Sequence, residues 1–214
     1  MLQHPKKGDP LIQSLFASMS SPSGSGLPDP GPSDRPLLDR LGGINLYLVG
    51  MMGAGKSAVG RPLAEGLGYR FIDADLVLEQ AAGQTIPELF AAAGEQGFRD
   101  LESSVLARIA SWHSLVVATG GGVVLRPDNW GQLRQGIVVW LDAPEALLLE
   151  RLTADPTPRP LMGGPDPAAK LRTLLNQRRT LYGQADVHIQ QDGSPPAAVA
   201  GQVLAALPGV LKRS

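Results

Sequence analysis

The chain has no cysteine, which excludes disulfides, thiolate metal sites and cysteine nucleophiles and is compatible with a reducing compartment. Neither sign of charge is in excess. Nineteen Lys and Arg stand against twenty Asp and Glu, a formal charge of -1, so no global field draws in nucleic acid or an anionic bilayer, and an anionic ligand must be held by local groups. Long hydrophobic runs are missing as well: none approaches the roughly 18 apolar residues that a membrane helix needs. The stretch Leu11, Ile12, Leu15, Phe16 behind Lys6 and Lys7 is too short and too broken by Gln13 and Ser14 for a secretory signal. Histidine is scarce, and His4, His113 and His188 lack metal-ligand spacing. Trp112, Trp130 and Trp140 read as packing residues. These absences point to a cytoplasmic protein with neither nucleic-acid nor membrane partners. An organelle transit peptide is the less favoured reading of the Ser-rich start.

What is present divides the chain in two. Residues 1–40 hold seven prolines, seven serines and four glycines, a composition that cannot bury enough apolar area to offset its ordering entropy, so a flexible extension is expected there. Within it, Pro36–Leu41 has the pattern of a short helix that could dock on the folded body. Residues 41–214 form the expected single domain. Apolar runs predict strands at Ile44–Val49, Tyr69–Ile72, Leu115–Ala118, Ile137–Leu141 and Val187–Ile189. Helical periodicity falls between them, at 56–67, 86–110 with an interruption near Gly94 and Gly97, 127–135, 144–153, 167–182 and 196–207. Strands alternating with helices imply a parallel sheet covered on both faces, with ligands at the carboxyl ends of the strands. Thr153–Pro167 carries five prolines and two glycines and fits neither element, so it reads as a mobile lid.

Chemistry concentrates at Gly50-Met51-Met52-Gly53-Ala54-Gly55-Lys56-Ser57. It matches G-x-x-x-x-G-K-[ST] between a predicted strand and a predicted helix. Such a loop turns successive N–H groups toward phosphate oxygens, with the helix dipole and Lys56 adding positive charge, and Ser57 is placed to ligate Mg²⁺. Gly53 through Ala58 are therefore candidate ATP contacts. About 17 residues on lies Phe71-Ile72-Asp73-Ala74-Asp75. If the strand continues through both aspartates they share one side. Asp73 would then hold Mg²⁺ through water and Asp75 would orient or deprotonate an acceptor hydroxyl. The competing reading is that one of them caps a helix starting near Leu76.

The ordered set continues with Gly94-Glu95-Gln96-Gly97-Phe98-Arg99, Ala118-Thr119-Gly120-Gly121-Gly122, Arg159-Pro160-Leu161 and Arg178-Arg179-Thr180-Leu181-Tyr182. In order and spacing, from about residue 44 to 190, it resembles the shikimate kinase family. The resemblance implies a P-loop three-layer α/β/α domain whose five parallel strands run in the order 2-3-1-4-5. It also implies phosphorylation of the 3-hydroxyl of shikimate by ATP with Mg²⁺, a step of aromatic amino acid biosynthesis. Arg99 and Arg178 match the positions that grip the substrate carboxylate, Gly120–Gly122 those that face substrate and γ-phosphate. Arg159 matches the arginine that closes over the phosphates, and Arg151 the one beside adenine. The small-molecule substrate is the partner expected, with the enzyme acting as a monomer. Independently of the resemblance, a carboxylate on a protein of near-zero net charge calls for the planar fork of arginine, and Glu102, one turn after Arg99, could lock that side chain. Isolated arginines would otherwise read as solvated helix-face residues. The rivals are a gluconate-type kinase on the same scaffold and a catalytically silent nucleotide-binding relative.

Overall fold

A computed structural model describes residues 35–155, 160–162 and 166–211. Most of the expected extension (residues 1–34) and Arg159 lie outside the described residues. The described residues begin with α1 (Arg35–Leu41), the short helix anticipated at Pro36–Leu41. Leu41 is fully buried, Leu37 and Leu38 pack on the core, and Arg40 donates to the carbonyls of Pro208 and Leu211 at 3.2 and 2.9 Å, so the entry and exit of the fold are tied together.

Five strands follow: β1 (Leu46–Val49), β2 (Arg70–Asp73), β3 (Leu115–Ala118), β4 (Ile137–Asp142) and β5 (Val187–Gln190). All pair in parallel in the order β2-β3-β1-β4-β5, the order that the resemblance implied. Helices α2 (Lys56–Leu67), α3 (Ala74–Ala82), α4 (Ile86–Ala110), α5 (Pro127–Leu133), α6 (Glu145–Ala154) and α7 (Pro167–Tyr182) connect them, and α8 (Pro196–Val210) follows β5. The register places Leu46 opposite both Val116 and Ile137. β1 therefore sits at the centre, where the chain turns first to one side of the sheet and then to the other, and the crevice at its carboxyl end is where such sheets bind ligands.

Every residue of β1 is buried because the period of two sends Leu46 and Leu48 to one face and Tyr47 and Val49 to the other. Leu46 and Leu48 join α2 and α8 through Val59, Leu63, Val199 and Val203. Tyr47 and Val49 join α4 and α5 through Leu106, Ile109, Trp130 and Leu133. Each fully buried aliphatic contributes about 1.5–3 kcal/mol, so the sheet is held from both sides and its loop ends are fixed as a consequence. Helix α4 opens with a full capping box between Thr85 and Glu88 and bends at Gly94 (φ 66°, ψ -178°), which confirms one of the two expected interruptions. No helix among the described residues is long and apolar enough to cross a membrane.

Candidate active site

The phosphate loop runs from the end of β1 into α2, whose N-cap Gly55 adopts the left-handed region (φ 80°). Lys56 Nζ donates to the carbonyls of Gly50 and Met51, both at 3.0 Å, so its ammonium lies folded over the loop that it serves. Ser57 Oγ donates to Asp73 Oδ2 at 2.5 Å.

The strand does not continue through both aspartates. β2 ends at Asp73 and α3 starts at Ala74, because Asp73 Oδ1 accepts from the backbone N–H of Asp75 (3.1 Å) and of Leu76 (3.4 Å) and so caps the helix. The helix-cap reading is correct for Asp73, which also takes the Ser57 hydroxyl, while Asp75 is freed to project from the first turn. Both carboxylates nevertheless reach the same place. They border a cavity of about 260 Å³ shared with Gly53, Lys56, Ser57 and Arg151, and also a neighbouring cleft of about 630 Å³. They stand at the junction of the two.

The larger cleft has a polar floor and an apolar wall. On the floor are Asp75, Arg99, Glu102, Gly120–Gly122 and Arg178; the wall is formed by Ile86, Phe90, Phe98 and Leu161. Arg99 and Arg178 are 6% and 2% exposed, which removes the reading of solvated helix-face arginines. Arg99 is pinned by Glu102 at 2.7 Å and by Glu95 at 3.3 Å. Arg178 donates to Gly121 O at 3.1 Å, and the buried Tyr182 hydroxyl donates to the same oxygen at 2.5 Å. Among the described residues, the Nε atoms of Arg99 and Arg178 and Glu102 Oε1 have no hydrogen-bond partner. Both guanidinium groups border the cleft and suit an added carboxylate.

The triple glycine is a matter of room. A Cβ on Gly122 would strike the Arg99 guanidinium, and one on Gly120 would meet Glu102 Oε1 and Asp75 Oδ1 at 2.5 and 2.9 Å. Any side chain there would displace the charged groups that line the cleft. Loss of water around Asp75 raises its pKa to about 6; Lys56 opposes the shift, and Asp73, Glu102 and Glu79 add to it. Burial likewise raises Glu102, against the pull of Arg99, and pushes Tyr182 up to about 12, so its hydroxyl remains a donor.

Arg151, on α6, borders the smaller cavity, where its Nη1 donates to Gly53 O at 3.1 Å and to Gln191 Oε1 at 3.3 Å. Two contributors were not assigned roles from sequence: Tyr182, visible only as the last letter of an arginine motif, and Gln191, whose only signal is its position at the carboxyl end of β5. In the proposed lid the described residues Pro160–Met162 form a 3-10 turn that brings Leu161 to the cleft.

The family model described as "Shikimate kinase" matches residues 52–208. The chain is 56% identical over 183 residues, 86% of its own length and 94% of the relative's, to a shikimate kinase of Synechococcus sp. (strain RCC307). It superposes with a TM-score of 0.75 and 43% identity, covering 79% of this chain and 96% of the other, on shikimate kinase from Acinetobacter baumannii in complex with shikimate. A gluconokinase from Sinorhizobium meliloti matches over 79% of this chain and 94% of its own at 23% identity and a TM-score of 0.53, a likeness of fold alone.

Proposed function

The chain belongs to the shikimate kinase family, and we propose that it transfers the γ-phosphate of ATP to the 3-hydroxyl of shikimate across the junction marked by Asp73 and Asp75. The observation that carries this reading is the pair of buried guanidinium groups, Arg99 and Arg178, in the same cleft as Asp75 and beside the phosphate loop. With near-neutral net charge a small carboxylate has to be held by local groups, and a planar fork holds it in one orientation.

With the carboxylate gripped at one end, a ring hydroxyl is presented to Asp75 at the other. A carboxyl with a pKa of about 6 is ionised at neutral pH yet basic enough to accept the hydroxyl proton as the oxygen attacks phosphorus. Lys56 offsets negative charge spread over the transferring phosphoryl group. The backbone of Gly120–Gly122, held through Gly121 O by Arg178 and Tyr182, supplies the surface on which substrate lies. Ser57 and Asp73 are adjacent hard oxygen donors at the phosphate cavity and so fit Mg²⁺, which when bound would neutralise charge on the β- and γ-phosphate oxygens. Arg159 enters this reading on its sequence position alone, as the charge that arrives with the lid. The chain is taken to work in the cytoplasm as a monomer.

A coupled ADP-release assay across a panel of hydroxy acids tests the assignment. Shikimate should be the preferred acceptor, and Asp75→Asn should bind ADP normally while turning over about 10² or more slower. Equal turnover of gluconate, or a normal rate in Asp75→Asn, would return the site to an unassigned phosphotransferase.

A further inference from the structure

We propose that Gln191 is a positioning residue for the nucleotide, fixing the orientation of the phosphate-loop peptides from the opposite end of the chain. The inference rests on the phosphate loop being the ATP site. Gln191 follows β5, where its N–H donates to Asp142 O at 2.8 Å and extends the β4–β5 ladder by one rung. Its side chain is buried, 3% exposed, and both ends of the amide are used. Nε2 donates to Ala54 O at 2.6 Å, and Oε1 accepts from Arg151 Nη1 at 3.3 Å. The same Nη1 donates to Gly53 O at 3.1 Å. Two consecutive carbonyls of the phosphate loop are thus held on one side by two side chains that come from α6 and from the end of β5.

Peptide planarity turns that grip into a statement about donors, since C=O and N–H of a trans peptide point in opposite directions. Holding Gly53 O fixes the N–H of Ala54, which closes the loop internally onto Met51 O at 3.0 Å. Holding Ala54 O fixes the N–H of Gly55, the N-cap of α2, directing it away from Gln191 and into the hollow of the loop, where a phosphate oxygen would be met. Ala54 itself is fully buried, so its carbonyl has to find a protein donor. Without the Gln191 amide that oxygen is unpaired and the peptide is released to rotate. Arg151 loses one of its anchors at the same time, so the residue that borders the nucleotide cavity and the loop that cradles phosphate are loosened together.

Gln191→Leu, which keeps the buried volume and removes both bonds, tests this by calorimetric titration with ADP and by steady-state kinetics. Losing one oriented donor is expected to raise the ADP dissociation constant about tenfold and the KM for ATP in parallel, with the KM for shikimate within about twofold of native. A purely structural hydrogen bond would lower thermal stability and leave that split unmoved. Gln191→Glu retains an acceptor for Arg151 but sets an oxygen against Ala54 O. It should weaken ADP at least as much, and it decides the question if Gln191→Leu does not fold. ADP affinity within twofold of native in either folded variant overturns the proposal. Failure of the native protein to bind ADP would instead remove the phosphate-loop reading on which it stands.

Discussion

The two halves of the junction are built in opposite ways. The phosphate side is one run of eight residues, Gly50–Ser57, whose polar groups are largely backbone and which lies wholly in the β1–α2 connection. The substrate side gathers Asp75 from α3, Arg99 and Glu102 from α4, Gly120–Gly122 from the end of β3 and Arg178 from α7. A site of the first kind has its course fixed by chain connectivity and needs only the outside bracing that Arg151 and Gln191 give Gly53 O and Ala54 O. One of the second kind exists only once the whole sheet has formed, and it buries charges that must be held in place meanwhile. That is the service of Glu102 and Glu95 to Arg99, and of Gly121 O to Arg178. Buried charges left alone cost several kcal/mol each, so these partners keep the guanidinium groups in position until a carboxylate arrives.

If the halves are separable, damage on one side should leave binding on the other intact. The largest effect is expected from Lys56→Ala, which removes a full charge where the transferring phosphoryl group needs it: turnover should drop by about 10³ or more. Shikimate binding, followed by calorimetry without nucleotide, should stay within about twofold. A parallel collapse of shikimate affinity would show that the halves are one unit. Next in size, Arg99→Lys and Arg178→Lys keep the charge but lose the fork, and each should weaken shikimate by about 10- to 100-fold while ADP affinity is unchanged. Near-native shikimate affinity in both would reduce the arginines to providers of bulk charge.

The same contrast explains what could be read in advance. Strand positions were legible because each strand is a short apolar run bounded by turn residues, the phosphate loop because its residues are contiguous, and the sheet order only through the family resemblance. Arg99 and Arg178 could be named only from an ordered set of weak motifs. Their burial, which distinguishes a clamp from a solvated helix face, depends on packing between α4, β3 and α7 that no local pattern encodes. The continuation of β2 through Asp75 failed for a local reason: Asp73 is a strong helix cap and ended the strand two residues early. Gln191 was not singled out because a glutamine is unremarkable until its partner, 137 positions away at Ala54, is known.

The smallest expected effect sharpens the comparison at Asp75, which borders both halves. Asp75 has its pKa raised from 3.8 to about 6 in the folded protein. Below about pH 4 the carboxyl is protonated whether the chain is folded or not, and it has no differential effect. Between about 4 and 6 the unfolded chain releases the proton while the folded one still holds it, so stability falls as pH rises, and above about 6 the full cost stands. A shift of this size corresponds to at most about 3 kcal/mol, and to about 1–2 kcal/mol once water in the open cleft is allowed for. Asp75→Asn should therefore raise the Tm of the ligand-free enzyme by about 3–6 °C at pH 8 and by little near pH 3.5, where the carboxyl is mostly protonated in the folded and unfolded chain alike. A Tm gain of the same size at both pH values would mean that the asparagine packs better, and that Asp75 is not the strained, water-poor base the mechanism requires. A gain that grows with pH would instead trace the same burial to two effects, a cost in stability and a basicity suited to accepting the hydroxyl proton.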